Sequence, residues 1–225
     1  MAATAAATVL LLGACSSNLQ PGNAAVVNGA AIPQSEVDDL VSAGCAYEAA
    51  MGKTDRETYP LLSLASLRTN FLNVLIRNHL ARQAADEIGG LHVSQNQVSS
   101  LAAGNTIPPT LDDQERSRVE DFFHTSAETD LLVALIGAHL KDDTVTDASH
   151  VQQADLDAGQ KYLDAYTKKA DVKVNPRFGT WTGTTVKGGS GSLSQLASTP
   201  PTPAAIPGQP APNPAETLPP DQVCG

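Results

Sequence analysis

The chain has 225 residues, 41% of them hydrophobic, 4% aromatic and 17% charged, with a net charge of −10. That length holds one domain of ordinary size plus tails, and an Ala- and Leu-rich, aromatic-poor chain favours packed helices over a β-sandwich. The acidic balance argues against nucleic acid as a partner and against adsorption to anionic lipid, because both rest on clusters of Lys and Arg.

The chain opens on a short apolar run that ends Leu10-Leu11-Leu12-Gly13-Ala14-Cys15-Ser16-Ser17. It is too short to span a bilayer but has the length of a signal h-region, and it closes on small residues before a cysteine. This is how a bacterial lipoprotein signal ends, although no basic residue precedes the run. The expectation is a signal peptide over 1–14, cleavage before Cys15, and a lipid on the Cys15 thiol. Residues 15–24 then read as a tether, and the protein is expected on the extracytoplasmic face of the cell membrane, held by its lipid. Downstream, no run of 18 apolar residues appears; the richest stretch, Leu61 to Ile76, is interrupted by Arg68 and Asn70.

Next, Ala25 to Ile32 carries Asn28-Gly29 between apolar residues, which predicts a hairpin because both residues accept positive φ. A first helix is expected from Glu36 to about Ala43, with Ser35 as N-cap and Gly44 as its stop. Thr54-Asp55-Arg56-Glu57 reads as a capping box and Pro60 as a first-turn residue. The following helix, Leu61 to Ile88, shows an apolar face of Leu61, Leu64, Leu67, Phe71, Val74 and Leu75, and ends at Gly89-Gly90. A shorter helix covers Ser94 to Ala103. Asp112 to His139 reads as one long helix, or two joined near Thr125-Ser126. Its stretch Leu131 to Ile136 is apolar on nearly all sides and needs cover. The last helix runs from about Ala148 to Lys169, and Asp171 to Asn175 alternates as a half-buried strand.

From Gly183 the character changes. Nine of the 15 prolines lie between Pro200 and Pro220, and large apolar residues almost vanish. Residues 182–225 are therefore expected to be a disordered Pro/Gly/Ser-rich tail. With Cys15 lipidated, Cys45 and Cys224 remain. Two free thiols are the first expectation for a cysteine near the end of such a tail; a Cys45–Cys224 disulfide, which would pin the tail to the body, is the alternative in an oxidising compartment.

Searches for chemistry end in absences. The five histidines form no HExxH or close ligand pair, and His79 is expected on an exposed polar face. There is no GxSxG, Walker loop or GxGxxG, and Asp38-Asp39, Asp112-Asp113 and Asp142-Asp143 read as caps or solvated acids. No catalytic residue, metal site or cofactor is expected.

Val26-Val27-Asn28-Gly29 with Ile32, followed by Ser35-Glu36-Val37-Asp38, resembles the start of the SurA-type chaperone domain. Val172-Lys173-Val174-Asn175-Pro176-Arg177-Phe178-Gly179 resembles that family's closing strand and turn. The two matches bracket residues 25–181. The resemblance implies a mainly α fold, a helical SurA N-terminal-like domain whose N- and C-terminal strands meet in a small antiparallel sheet. It also implies binding of unfolded or extended segments of secreted proteins outside the cytoplasm. Many members carry a parvulin domain that isomerises prolyl bonds; here the interval from Lys141 to Ser149 is too short for one. The expected function is an ATP-independent holdase that is not an enzyme, with Leu61, Leu64, Phe71, Phe122 and Phe123 as client-binding candidates. The alternatives are an envelope adaptor for one folded partner and, third, a prolyl isomerase.

Overall fold

The computed structural model describes residues 21–188 and 213–224. The expected signal peptide, the Cys15 lipid site, residues 15–20 of the expected tether and the Pro-rich run 189–212 lie outside the described residues, and the tether's last two residues already belong to the first strand.

β1 (Asn23–Val27) and β2 (Ala30–Pro33) form the expected hairpin. Asn28 and Gly29 turn it with φ of 48° and 88°, the left-handed pair that a two-residue connection requires. Asn28 also fastens the turn to two distant elements. Its Nδ2 donates to Gln83 Oε1 at 2.7 Å, and its Oδ1 accepts from the Asp171 amide at 2.7 Å.

α1 (Gln34–Gly52) starts one residue after Pro33 and runs straight through Gly44 to Gly52. The expected stop is corrected: Gly44 is buried against Phe71, and packing overrides the glycine's weak helix propensity. The expected capping box at Thr54 is also corrected. Asp55 Oδ1 instead accepts from the Thr58 amide at 3.0 Å inside a turn. Beyond it come β3 (Leu62–Ser63) and α2 (Leu64–Gly89). Ser63 caps α2 by accepting from the Ser66 amide, and Gly90, at φ 64°, ends it.

α3 (Gln95–Ala102) and α4 (Asp113–Lys141) each open on a capping box, Ser94 with Gln97 and Asp112 with Glu115. α4 is unbroken, with no joint at Thr125-Ser126. It touches all four other helices, which is why Leu132 to Ala138 are buried on every side. A short 3₁₀ turn (Ala148–His150) precedes α5 (Gln153–Thr167), so the last helix begins later than expected. α4 and α5 pack at backbone contact through Gly137 and Gly159. A Cβ on Gly159 would lie 1.7 Å from the Val133 carbonyl oxygen, and one on Gly137 would lie 1.8 Å from that of Asp155.

β4 (Val172–Val174) returns to the hairpin and pairs antiparallel with β1, Ala25 opposite Val174 and Val27 opposite Val172. The sheet order is β2-β1-β4, so strands from opposite ends of the helical body meet in one small sheet. Ala25, Val27 and Ile32 turn inward onto the core. Asn175 closes the corner after β4 through its amide to the Ala24 carbonyl, and Phe178 inserts fully into the core.

The body continues past residue 181. β5 (Thr180–Trp181) and β6 (Val186–Lys187) form a second hairpin. Asn73 clasps it like a strand, donating to the Val186 carbonyl and accepting from the Val186 amide. The tail's far end departs from the expectation of disorder as well. Residues 213–224 carry two 3₁₀ turns and β7 (Val223–Cys224), which pairs antiparallel with β3. Cys45 and Cys224 are joined by a disulfide with Cα atoms 5.0 Å apart, so the expectation of two free thiols does not hold. Strand pairing at β3 brings the Cys224 end of the chain beside α1, where the spacing fits a bridge.

Candidate functional site: an aromatic cleft between three helices

α1, α2 and α4 converge on a cleft of about 110 Å³. Each helix supplies residues one turn apart. α1 gives Leu40, Gly44 and Tyr47, α2 gives Leu67 and Phe71, and α4 gives Val119, Phe122 and Phe123. Spacings of three and four place these residues on one face of each helix.

The rings form a chain. Phe71 and Phe122 meet edge to face with centroids 4.7 Å apart, and Phe123 lies 6.2 Å beyond Phe122. Tyr47 meets Phe123 at 5.8 Å and Tyr59 at 6.2 Å, both nearly perpendicular. These are the offset and T-shaped arrangements that aromatic quadrupoles favour. In a chain with 4% aromatic residues, gathering five of them in one place concentrates the apolar contact area. Phe71 is buried; Tyr47, Phe122 and Phe123 are half-buried, with part of their surface open in the cleft.

Gly44 makes the site possible. A Cβ there would stand 2.3 Å from Cζ of Phe71, so only glycine lets the ring lie on the α1 backbone. Charges border the cleft. Arg118 bonds Asp39 at 3.1 Å near the mouth. Burial pushes the Glu48 carboxyl up, and burial together with a hydrogen bond to Tyr59 pushes the Tyr47 phenol up to about 12. Tyr47 is thus a neutral hydrogen-bonding ring at ordinary pH.

Of the candidates drawn from sequence, the structure brings Phe71, Phe122 and Phe123 together. It does not bring Leu61 or Leu64 to them. Leu64 lines a separate groove on the other face of α1, with Val41, Cys45, Ala46, Ala49 and Arg68. Leu61 is half-buried, and its carbonyl accepts from Asn213 Nδ2 at 2.8 Å. Sequence reasoning missed Tyr47 and Tyr59. The repeat Leu40, Gly44, Tyr47 carries the signal for Tyr47, provided that the helix is allowed to pass through Gly44.

Polar chemistry is sparse. Among the described residues no three His, Cys, Asp or Glu side chains gather as metal ligands. No helix there is long and apolar enough to cross a membrane. The expected acid pairs find structural roles: Asp38 lies 3.8 Å from Arg68, Asp112 caps α4, and Asp142 accepts from Thr144. His79 is half-buried rather than exposed, and burial followed by the nearby Arg82 charge pulls its pKa down. What the cleft can do is hold apolar and aromatic side chains. Compared with known protein families, curated proteins and solved structures, the chain matches none of them.

Proposed function

We propose that this chain is a membrane-anchored, extracytoplasmic, ATP-independent holdase that binds unfolded or extended segments of secreted proteins. The observation that carries the reading is the aromatic cleft. Five rings from α1, α2, α4 and the turn before β3 are drawn together, and the half-buried Tyr47, Phe122 and Phe123 line a cleft of about 110 Å³ that accepts one apolar side chain of a client at a time. Apolar recesses with few polar anchors select for chemistry and not for one sequence. The pairing of β1 with β4 supports the resemblance to SurA-type domains, since it joins the two segments that carry it. Residues 142–152 are all that separates α4 from α5, too short an interval for a parvulin domain there, which favours the holdase over the prolyl-isomerase reading. The anchor is the lipid proposed for Cys15, and the acidic surface keeps a loaded complex soluble.

Light scattering from a guanidinium-denatured reporter enzyme, diluted into buffer without ATP, tests the reading. Near-stoichiometric suppression of aggregation is expected; no suppression at several-fold excess overturns it. For the anchor, cells fed a radioactive fatty acid should label the parent chain and leave Cys15→Ala unlabelled.

A further inference from the structure

Among the described residues, the C-terminal segment 213–224 makes few non-covalent contacts besides its disulfide. Among the described residues its strand pairing joins two positions, Leu62 opposite Cys224 and Ser63 opposite Val223, and β7 also touches α1. Asn213 Nδ2 donates to the Leu61 carbonyl at 2.8 Å. Only Ala215 and Cys224 are buried, and of the two only Cys224 joins the main core. Ordering a dozen residues opposes folding at every one of them, and these few contacts do not offset it. The Cys45–Cys224 bond fastens the end of the segment to α1.

Beneath the segment lies the edge of β3, a backbone that takes a strand partner. Beside that edge runs a groove of about 620 Å³ floored by Val41, Cys45, Ala46, Ala49 and Leu64 and bordered by Asp38, Arg68 and Arg177. Val223 and Cys224 of this same chain already lie on the β3 edge in antiparallel register, while the groove beside it stays open.

We propose that the β3 edge and the adjoining groove form a second binding site, for an extended apolar segment of unfolded polypeptide, in which the β3 edge is occupied in cis by Val223 and Cys224 and is uncovered when the Cys45–Cys224 disulfide is reduced. The inference rests on the reading of the chain as a binder of extended segments and adds to it a strand-addition mode, in which main-chain bonds give affinity and the groove selects apolar side chains. The reductant is a dithiol. One of its thiolates attacks a sulfur of the bridge, forming a mixed disulfide and releasing the other cysteine as a thiolate that takes up a proton. Its second thiol then closes the reductant's own disulfide and releases the remaining cysteine as a thiol. One S–S bond is broken and two S–H bonds form, while the dithiol is oxidised.

The test uses the full chain and labelled, reduced and carboxymethylated α-lactalbumin, a permanently unfolded polypeptide. Affinity is read by fluorescence anisotropy and site occupancy by amide hydrogen exchange over residues 61–64. Dithiothreitol is expected to tighten binding at least fivefold. It should also open the amides of 61–64, which the unfolded chain then protects again. Cys45→Ser should behave in the same way without reductant. Equal affinity in both redox states, or no protection of 61–64, overturns the proposal. So does loss of the helical circular dichroism signal on reduction and in Cys45→Ser, because the bridge would then be a staple for the body. Aggregation suppression with an indifferent β3 edge overturns this inference alone. Redox-gated protection of 61–64 without aggregation suppression overturns the holdase reading and leaves the strand site standing.

Discussion

Gly44 sets the shape of the cleft, because its missing Cβ is where Phe71 lies. Gly44→Ala gains about 1 kcal/mol of helix propensity. It also forces a buried ring off a contact of 2.3 Å, and overpacking of that kind costs about 1–3 kcal/mol. A net loss of about 1 kcal/mol is expected in urea unfolding, with weaker client binding as Phe71 swings into the cleft. Unchanged stability with unchanged binding would show that Phe71 does not define the site. The same residue explains what was legible in the sequence. Phe71, Phe122 and Phe123 stand out as large apolar residues on long helices, whatever the helix ends do. Tyr47 does not, because a glycine read as a stop removes it from any helix face. Local propensity at Gly44 is worth about 1 kcal/mol, and burial of a phenylalanine against it is worth more.

Among the elements, the α4–α5 pair is the least tolerant of change. Gly137 and Gly159 let the helices approach until a Cβ would overlap a carbonyl oxygen of the partner. A flexible side chain could give way, but backbone cannot without separating the helices. Gly159→Ala and Gly137→Ala are each expected to lose about 3 kcal/mol or more in urea unfolding. The double variant should lose less than the sum, since the first substitution already opens the contact. Full additivity would mean that the two glycines act independently. The starts of α3 and α4 lie close to where the sequence places them, whereas Ser35 does not cap α1 and α5 starts at Gln153 instead of Ala148. Ser94 with Gln97 and Asp112 with Glu115 satisfy the first orphan amides of α3 and α4, whereas the one capping box read from the sequence, at Thr54, does not form. The glycine contact is not marked, because two glycines 22 residues apart carry no sign that they will face each other. The β5–β6 hairpin escaped for a similar reason: its partner is the side chain of Asn73, more than 100 residues away.

At the scale of the whole molecule, two closures join the chain's ends to its body, and they differ in strength. β1 and β4 close the helical domain through three strand pairs and a core that includes Val27, Ile32 and Phe178. The alternating, Asn-Pro-bounded segment after α5 made that closure readable from the sequence. The second closure, Cys45 to Cys224, was masked by the low-complexity composition around it. Its contribution to stability depends on whether residues 213–224 stay in place once the bond is cut. If they stay, the bridge constrains an unfolded loop with a sequence separation of 179, which chain entropy values at about 5 kcal/mol. If they leave, the reduced native state faces its own loop closure, over about 36 residues from Gly188 to Cys224, before the bond can form. The benefit then falls to the difference between the two loops, about 1.4 kcal/mol by (3/2)RT ln n. The weak non-covalent hold on the segment puts the expectation at the lower figure. Urea unfolding of the oxidised chain against Cys45→Ser, read from helical circular dichroism, should therefore differ by about 1–2 kcal/mol. A difference near 5 kcal/mol would mean that the segment is an ordered part of the body, and the uncovered β3 edge would not exist.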